Sequence, residues 1–207
     1  MRYITFKDQL VRAILAGTKT QTRRIMNPMP EYRNGVYILL GDSTGYSAGI
    51  LALHAPLGRI GDRFCIKENA WMYCERRPIG KTARGHYKWA YIPMKNAPVR
   101  YRAHIPEKPG YDLVHPETGN LWLWHLKTSR FLPAWAVRIE CELTNVRVQK
   151  IQHISEEDAT QEGVMQDIDG LCAIEEFQKL WDSIHPNNLS WNQNPVVFAY
   201  TFRRIEP

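Results

Sequence analysis

The sequence predicts an α+β fold: a small β-barrel with helices packed on it and a large loop-rich insertion. The patterned segments follow the order helix, strands, helices, strand, which fits neither a βαβ series nor an all-helical bundle. The strand segments alternate apolar and polar residues, as half-buried sheets do. We therefore expect one domain over residues 1–207, with the insertion at about residues 76–130.

Local patterns define the elements of the N-terminal part. An apolar stripe at helical spacing predicts a first helix over residues 5–17, and Gly17 is a natural helix stop. A basic loop over residues 18–24 is expected next. Glycine-broken short strands should occupy residues 35–53, and a turn at residues 61–62 should open a strand from 63 to about 73, whose inner face carries Phe64 and Ile66.

The C-terminal part has the clearest pattern. Residues 136–151 alternate as a strand, and the alternation changes phase at Thr144 and Asn145, which predicts a bulge. A short helix is expected over residues 155–163, where Ser155 and Asp158 fit a capping box. An amphipathic helix around residues 174–184 and a final strand over residues 196–202 complete the fold.

Composition limits the function classes. The net charge of +6 favours an anionic partner such as nucleic acid. No apolar run approaches the roughly 20 residues that cross a bilayer, and the polar N-terminus does not resemble a signal peptide, so we expect a cytoplasmic protein without membrane contact. None of the four cysteines forms a Cys-x-x-Cys pair, which favours reduced, mostly buried thiols and no metal site.

The expected insertion is a second candidate site. Between residues 76 and 108 there are nine Lys or Arg residues and one acid, with aromatic residues among them. Cationic side chains neutralise phosphates and aromatic rings stack on unpaired bases, although a solvated loop whose aromatics pack on the barrel fits equally well. A hairpin is expected near residues 122–124. The candidate nucleic-acid-binding residues are Arg84, Lys88, Arg100 and Arg102.

Residues 17–24 place Lys19, Thr22 and Arg24 close together in the chain. A lysine partly removed from water loses affinity for its proton and can then act as a base toward a hydroxyl. A neighbouring arginine can hold an anion or a carbonyl oxygen. On spacing alone, a solvated basic turn is the more ordinary interpretation of this segment.

The pattern Gly17-x-Lys19-x-x-Thr22-x-Arg24 resembles the signature of the ASCH family, whose members have a PUA-like barrel. Most members have glutamate where Thr22 stands; the family's small amidohydrolases of N(4)-acetylcytidine have threonine there. Residues 155–162 resemble a second block of these enzymes, which places the family's catalytic glutamate on Glu162. Over its full length the chain looks more like phage or prophage members, most of which lack an assigned activity.

The resemblance implies roles for these residues. Lys19 would take the proton of Thr22, Thr22 would attack an acyl carbonyl, and Glu162 would protonate the departing amine, without metal or organic cofactor. Arg24 would bind the substrate, and Glu68 and Trp71 are further candidates for this, although an ion pair and barrel core are the simpler interpretations of the latter two. The substrate would be an N-acylated cytosine nucleoside or a related modified nucleoside. The alternatives are a non-catalytic RNA-binding module and, third, a ribonuclease.

Overall fold

The computed structural model of the protein describes residues 1–39, 44–110, 113–114, 119, 121–164, 172–185 and 189–205. The chain is a mixed α/β protein that divides into two compact units. The first unit comprises Met1–Ile4, Ala13–Cys65 and Ile139–Pro207, and the second comprises Thr5–Arg12 and Ile66–Arg138. Among the described residues, no helix has the length and apolar character that a membrane crossing needs.

Among the described residues, strands outnumber α-helices. In chain order, the strands are β1 (Arg2–Thr5), β2 (Gln21–Ile25), β3 (Glu31–Arg33), β4 (Val36–Ile38), β5 (Gly45–Tyr46), β6 (Arg63–Lys67), β7 (Ala70–Lys81), β8 (Tyr87–Pro93), β9 (Val99–Tyr101), β10 (Leu113–Val114), β11 (Leu121–Lys127), β12 (Ile139–Lys150) and β13 (Val196–Ile205). The helices are α1 (Asp8–Leu15), α2 (Ala48–Ala52), α3 (Glu156–Gln161) and α4 (Ala173–Ile184).

A five-stranded sheet of order β1-β6-β12-β13-β2 forms the first unit. Its long strands β12 and β13 pair antiparallel, and their register shifts between Leu143 and Asn145. The bulge predicted from the change of phase in the sequence is therefore confirmed, as is the final strand. Phe64 and Ile66 of β6 are both buried, as predicted, but Cys65 between them is buried too, so burial does not alternate along this strand.

Helix α4 buries its apolar stripe in the core of the first unit. Phe177 and Trp181 pack there with Trp191 and Val197, and the partly buried Ile25 of β2 packs against the same cluster. Helix α3 begins where predicted, because the Ser155 hydroxyl accepts a hydrogen bond from the Asp158 N–H. Both helices predicted in this region are confirmed.

Several N-terminal predictions need correction. Helix α1 begins at Asp8, not at residue 5, because Thr5 still belongs to strand β1. Residues 21–25 form strand β2 instead of a basic loop, since β13 offers them a hydrogen-bonding partner. The segment 35–53 contains the short strands β4 and β5 but ends in helix α2, which Ser47 caps. Its residues 40–43 lie outside the described part of the chain.

The strand predicted over residues 63–73 is divided. Strand β6 ends at Lys67, and β7 starts at Ala70 and belongs to a different sheet. The predicted inner face is correct only for β6. A two-residue connection such as Glu68-Asn69 leaves no clear trace in a pattern of alternating apolar residues.

Residues 76–130 contain more regular structure than the loop-rich insertion that the sequence predicts, because strands β8 to β11 and the end of β7 lie within them. A sheet of order β10-β11-β7-β8, with β9 also paired to β7, forms the second unit. The core on this sheet contains Ala70, Met72, Cys74, Leu132 and Ala136. The hairpin predicted near residues 122–124 corresponds to the antiparallel pair β10 and β11. Residues 111–112, 115–118 and 120 of the expected insertion lie outside the described residues.

Candidate active site

The end of α1, strand β2 and helix α3 bring a polar cluster together inside the first unit. The N–H groups of Thr18 and Lys19 both donate to the Ala13 carbonyl at the end of α1. The Thr20 N–H then donates to the Gln161 carbonyl at the end of α3, at 2.9 Å. These main-chain hydrogen bonds fix the entry of β2 beside the C-terminus of α3.

Lys19 is a deeply buried cation of this cluster. Its side chain is 1% exposed, and its Nζ donates to the Glu162 carboxylate oxygen Oε2 at 2.7 Å. The same Nζ donates to the main-chain carbonyls of Glu162 at 2.7 Å and Gln21 at 2.6 Å. These three oxygens match the three N–H donors of an ammonium group. They take the place of water around Lys19 Nζ and favour its charged form.

Arg23 links the two carboxylates of helix α3. Its guanidinium donates to Glu162 Oε1 at 2.9 Å and to Asp158 Oδ2 at 2.7 Å, and its side chain is fully buried. It also lies over the ring of Phe177, with 5.8 Å between the guanidinium carbon and the ring centroid. Since both oxygens of Glu162 are held, one by Lys19 and one by Arg23, the carboxylate has a fixed orientation.

Asp158 and Gln21 complete the polar network. The Gln21 amide donates to Asp158 Oδ1 and to Gln161 Oε1, both at 2.7 Å, and its own oxygen accepts from Arg23. Arg147 on β12 donates to Asp158 Oδ2 at 2.8 Å. The network therefore joins the cations of Lys19, Arg23 and Arg147 to the carboxylates of Asp158 and Glu162, and the excess positive charge favours an anionic or carbonyl oxygen nearby.

Burial sets the protonation behaviour of the cluster. The pKa of Lys19 is lowered, first because burial disfavours the ammonium and further because Arg24 and Arg23 repel it, while Glu162 opposes the shift. Burial also lowers the pKa of Arg24, which Glu162 and Tyr200 oppose. A lysine with a lowered pKa, 2.7 Å from a carboxylate, can exchange a proton with it over one hydrogen bond.

Thr22 lies on the other face of strand β2. Side chains alternate along a strand, so Thr22 and Arg24 point away from the face that carries Gln21 and Arg23. Thr22 is 3% exposed and pairs with Tyr200 across the ladder between β2 and β13. The structure thus joins Lys19 to Glu162, whereas Thr22 pairs with Tyr200 on the other face of β2.

Arg24 shares the Thr22 face with two aromatic side chains of β13. The ladder sets Arg24 opposite Phe198, and the rings of Phe198 and Tyr200 lie 5.9 Å apart. The Tyr200 hydroxyl accepts a hydrogen bond from the Leu57 N–H, and burial raises its pKa. His185, at the end of α4, has a lowered pKa because of burial and the nearby charge of Arg24.

Glu68 and Trp71 belong to the second unit. Glu68 is 1% exposed and forms a bidentate ion pair with Arg138, at 2.9 and 3.2 Å. The Arg138 guanidinium also lies 3.8 Å from the ring centroid of Tyr101. Trp71 is half-buried on β7, opposite Arg100 of β9, and its indole N–H has no hydrogen-bond partner among the described residues. The carboxylate of Glu68 is therefore already bound within its own unit.

The four candidate nucleic-acid-binding residues all belong to the second unit and lie on different elements of it. Arg84 lies in the loop between β7 and β8, whereas Lys88 and Arg100 lie within strands β8 and β9. Arg102 contacts Asp8 at 3.5 Å. Arg84, Lys88 and Arg100 are exposed, and so are the aromatic residues Tyr87 and Trp89 of β8.

Sequence reasoning missed the buried Gln21, Arg23 and Asp158 and the partly exposed Arg147 as members of the polar network. Gln21 and Arg23 occur at alternate positions of the segment that was expected to be a loop, and this spacing is the only signal the sequence offered. Asp158 was interpreted as a capping residue alone. Within the described part of the chain, no group of three or more His, Cys, Asp or Glu side chains could hold a metal ion.

Comparisons with protein-family models, with curated proteins and with solved structures give no significant match to this chain. The features of the chain that bear on its function are therefore the cluster around Lys19 and the sequence motif.

Proposed function

We propose that the protein is an ASCH-type amidohydrolase with a PUA-like fold, which removes the acyl group from N-acylated cytosine nucleosides or related modified nucleosides. The observation that carries this proposal is the buried contact of 2.7 Å between Lys19 Nζ and Glu162 Oε2. A pairing of this kind, with a lowered lysine pKa, is a common feature of sites that transfer protons.

The proposed reaction begins at Thr22. Lys19 Nζ lies 2.6 Å from the carbonyl oxygen of Gln21, the residue that the peptide bond joins to Thr22. From this position the neutral amine takes the hydroxyl proton of Thr22 while the Thr22 oxygen forms a bond to the acyl carbon of the substrate. The proton passes from Lys19 to Glu162 and then to the nitrogen of the departing cytosine amine as the C–N bond breaks. Water then loses a proton to Glu162 and its oxygen forms a bond to the acyl carbon. The bond from that carbon to the Thr22 oxygen breaks, the proton returns from Glu162 through Lys19 to the Thr22 oxygen, and the acyl group leaves as a carboxylic acid.

Arg24 supplies the positive charge for the oxygen that becomes negative in this reaction. It stands two residues after Thr22 and so on the same face of β2. Burial strengthens the attraction between its guanidinium and a developing oxyanion, because little water competes for either charge. Arg23, on the opposite face, holds Glu162 Oε1 and leaves Oε2 for the proton exchange with Lys19.

The proposal is tested by incubating the protein with N(4)-acetylcytidine and measuring cytidine release by liquid chromatography. We expect release by the wild type, retention of part of the rate in Thr22→Ser, and loss of about 100-fold or more in Thr22→Val. Valine has the shape of threonine and suits a buried strand, so this pair of variants changes the nucleophile with little change in packing. Full activity of Thr22→Val would exclude Thr22 as the nucleophile.

Proton transfer is tested separately, with Lys19→Arg and Glu162→Gln. Both keep a hydrogen-bonding group at the position, and circular dichroism identifies a variant that fails to fold. Because the neutral amine of Lys19 is the reactive form and its pKa is lowered, the wild-type rate should rise with pH at values below the ordinary lysine range. Lys19→Arg should abolish this rise.

A non-catalytic module of the same fold is the alternative. It predicts no cytidine release at any enzyme concentration and no acetyl group on a peptide that contains Thr22 after quenching in acid. Detection of that acetylated peptide by mass spectrometry would support the hydrolase.

A further inference from the structure

The hairpin of β7 and β8 combines a high positive charge with exposed aromatic rings. Residues 76–93 contain five Lys or Arg residues and no acid. The strands pair antiparallel, and the Thr82 and Gly85 main-chain hydrogen bonds close the loop between them. The proposed hydrolase reaction uses no residue of this segment.

Three aromatic residues of β8 point to the same face of the sheet, because Tyr87, Trp89 and Tyr91 alternate along the strand. The register places Arg76 opposite Tyr91 and Lys81 opposite Tyr87. Contacts confirm the shared face. The Arg76 guanidinium carbon lies 3.9 Å from the Trp89 ring centroid, and Lys81 Nζ lies 4.9 Å from that of Tyr87.

The outer part of this face is open to solvent and its charge is not compensated. Tyr87 is 56% exposed and Trp89 is 40% exposed. In the described part of the chain, neither Arg76 nor Lys81 forms an ion pair, and Arg76 Nε has no hydrogen-bond partner. The neighbouring Arg77 differs, since it pairs with Glu75 at 2.6 Å. A ligand for this face should therefore carry both negative charge and planar apolar groups.

The spacing of the rings favours unpaired nucleotides. The ring centroids of Tyr87 and Trp89 lie 5.9 Å apart, well above the rise of about 3.4 Å per nucleotide in a stacked strand. A nucleic-acid strand would have to unstack to place successive bases on Tyr87 and Trp89, which a duplex cannot do. The inner ring, Tyr91, is stacked on His125 at 4.0 Å and so is already covered on one side.

We propose that this face, formed by Arg76, Lys81, Tyr87, Trp89 and Tyr91, binds single-stranded nucleic acid. Bases stack on the exposed rings of Tyr87 and Trp89, and Arg76 and Lys81 neutralise the phosphates between them. This inference is independent of the hydrolase, because it depends only on residues of the hairpin.

Fluorescence anisotropy of labelled oligonucleotides of roughly 12 nucleotides tests the inference, with RNA, DNA and duplex of one sequence compared. Trp89→Ala should weaken binding of the single strand by about 10-fold or more, and Trp89→Phe should retain most of the affinity. The matched control is Trp135→Ala, since Trp135 is 42% exposed but lies outside the hairpin, and it should leave binding unchanged. Comparing the affinities for single-stranded RNA and single-stranded DNA identifies which of the two the protein prefers.

Salt dependence tests the phosphate contacts. Lys81→Gln should reduce the slope of log affinity against log salt concentration by about 0.7, the value for one phosphate contact to a single strand. Lys179→Gln removes the same charge from an exposed site outside the hairpin and should not change the slope.

Three results would overturn the proposal. The first is equal binding by Trp89→Ala and Trp135→Ala, and the second is duplex binding as tight as that of the single strand, which would indicate attraction to any polyanion. The third is absence of binding at low salt, which would leave the contact between Arg76 and Trp89 as packing of the hairpin alone.

Discussion

Asp158 serves two structural purposes at once. Its main-chain N–H binds the Ser155 hydroxyl at the start of α3, while its carboxylate accepts hydrogen bonds from Gln21, Arg23 and Arg147. Burial raises the pKa of this carboxyl, but the Gln21 hydrogen bond and the charges of Arg23 and Arg147 lower it more, so the net shift is downward. The carboxylate therefore stabilises the folded chain in its charged form.

This lowered pKa predicts a dependence of stability on pH. A carboxyl with a lower pKa in the folded chain stabilises it fully above the unfolded value of about 3.9, and this stabilisation is lost as the pH falls through the folded pKa. Asp158→Asn should therefore lower the free energy of unfolding by about 1–3 kcal/mol at neutral pH. The difference from wild type should shrink in acid, as measured by urea unfolding at a series of pH values.

Asp62→Asn is the control for this measurement. The pKa of Asp62 is also lowered, first by the Arg59 main-chain N–H and then by Arg2, but its carboxylate is exposed to solvent. Solvent screens such pairs, so the loss of stability should be smaller than for Asp158→Asn. A difference between wild type and Asp158→Asn that stays constant from neutral to acid pH would contradict the charged role of Asp158.

At the scale of the element, the end of α3 determines where Lys19 lies. Glu162 closes the helix, and Gly163 follows with φ at +82°, in the left-handed region that favours glycine. A Cβ atom on Gly163 would lie 2.9 Å from the Cβ of Lys19 and 3.1 Å from that of Ala13. The helix end, α1 and Lys19 thus pack closely around a position where no side chain fits.

Gly163→Ala should be more harmful than Gly17→Ala. Both glycines have positive φ, which costs about 1–2 kcal/mol for alanine, but Gly17 has φ at +77° and no atom within 4 Å of its added Cβ. Gly163→Ala should lose a further 1–3 kcal/mol or so through overpacking against Lys19. Chemical denaturation of both variants measures the difference, and equal losses would show that the contact with Lys19 can relax.

At the scale of the whole molecule, each compact unit has a hydrophobic core of its own. Phe177, Trp181 and Trp191 lie in the core of the first unit, and Met72 and Leu132 lie in that of the second. The segment that the sequence assigned to loops therefore contributes an ordered, packed sheet. We expect the free energy of unfolding of this sheet to fall when a substitution removes buried apolar surface from its core.

Leu132→Ala tests this core against its exposed neighbour. Leu132 is 1% exposed and Phe131 is 69% exposed, so two adjacent residues differ chiefly in burial. We expect Leu132→Ala to lower the free energy of unfolding by about 2–5 kcal/mol, and Phe131→Ala by about 0.5 kcal/mol or less. If both variants unfold like the wild type in urea, the core around Leu132 does not stabilise the second unit.

The sequence by itself determined the regular elements that bury apolar residues. The strand with the phase change at Thr144, the helix capped by Ser155 and the final strand were all predicted from period and capping residues. Each signal is local, because an element that buries one apolar face must repeat its apolar residues at the period of its backbone. The sequence also singled out Lys19 and Glu162 through their motif, although without a distance between them.

Only the tertiary structure decided which polar residues are buried. Lys19 and Glu162 are 143 positions apart, and their contact depends on the pairing of β2 with β13 and on the position of α3. The residues of β2 are mostly polar and show no apolar period, so the sequence predicts a loop there. In the structure, the buried guanidinium of Arg23 binds the carboxylates of Asp158 and Glu162. A buried charge is stable only beside a charged or hydrogen-bonding partner. Here those partners come from distant parts of the chain, so a local sequence pattern does not indicate them.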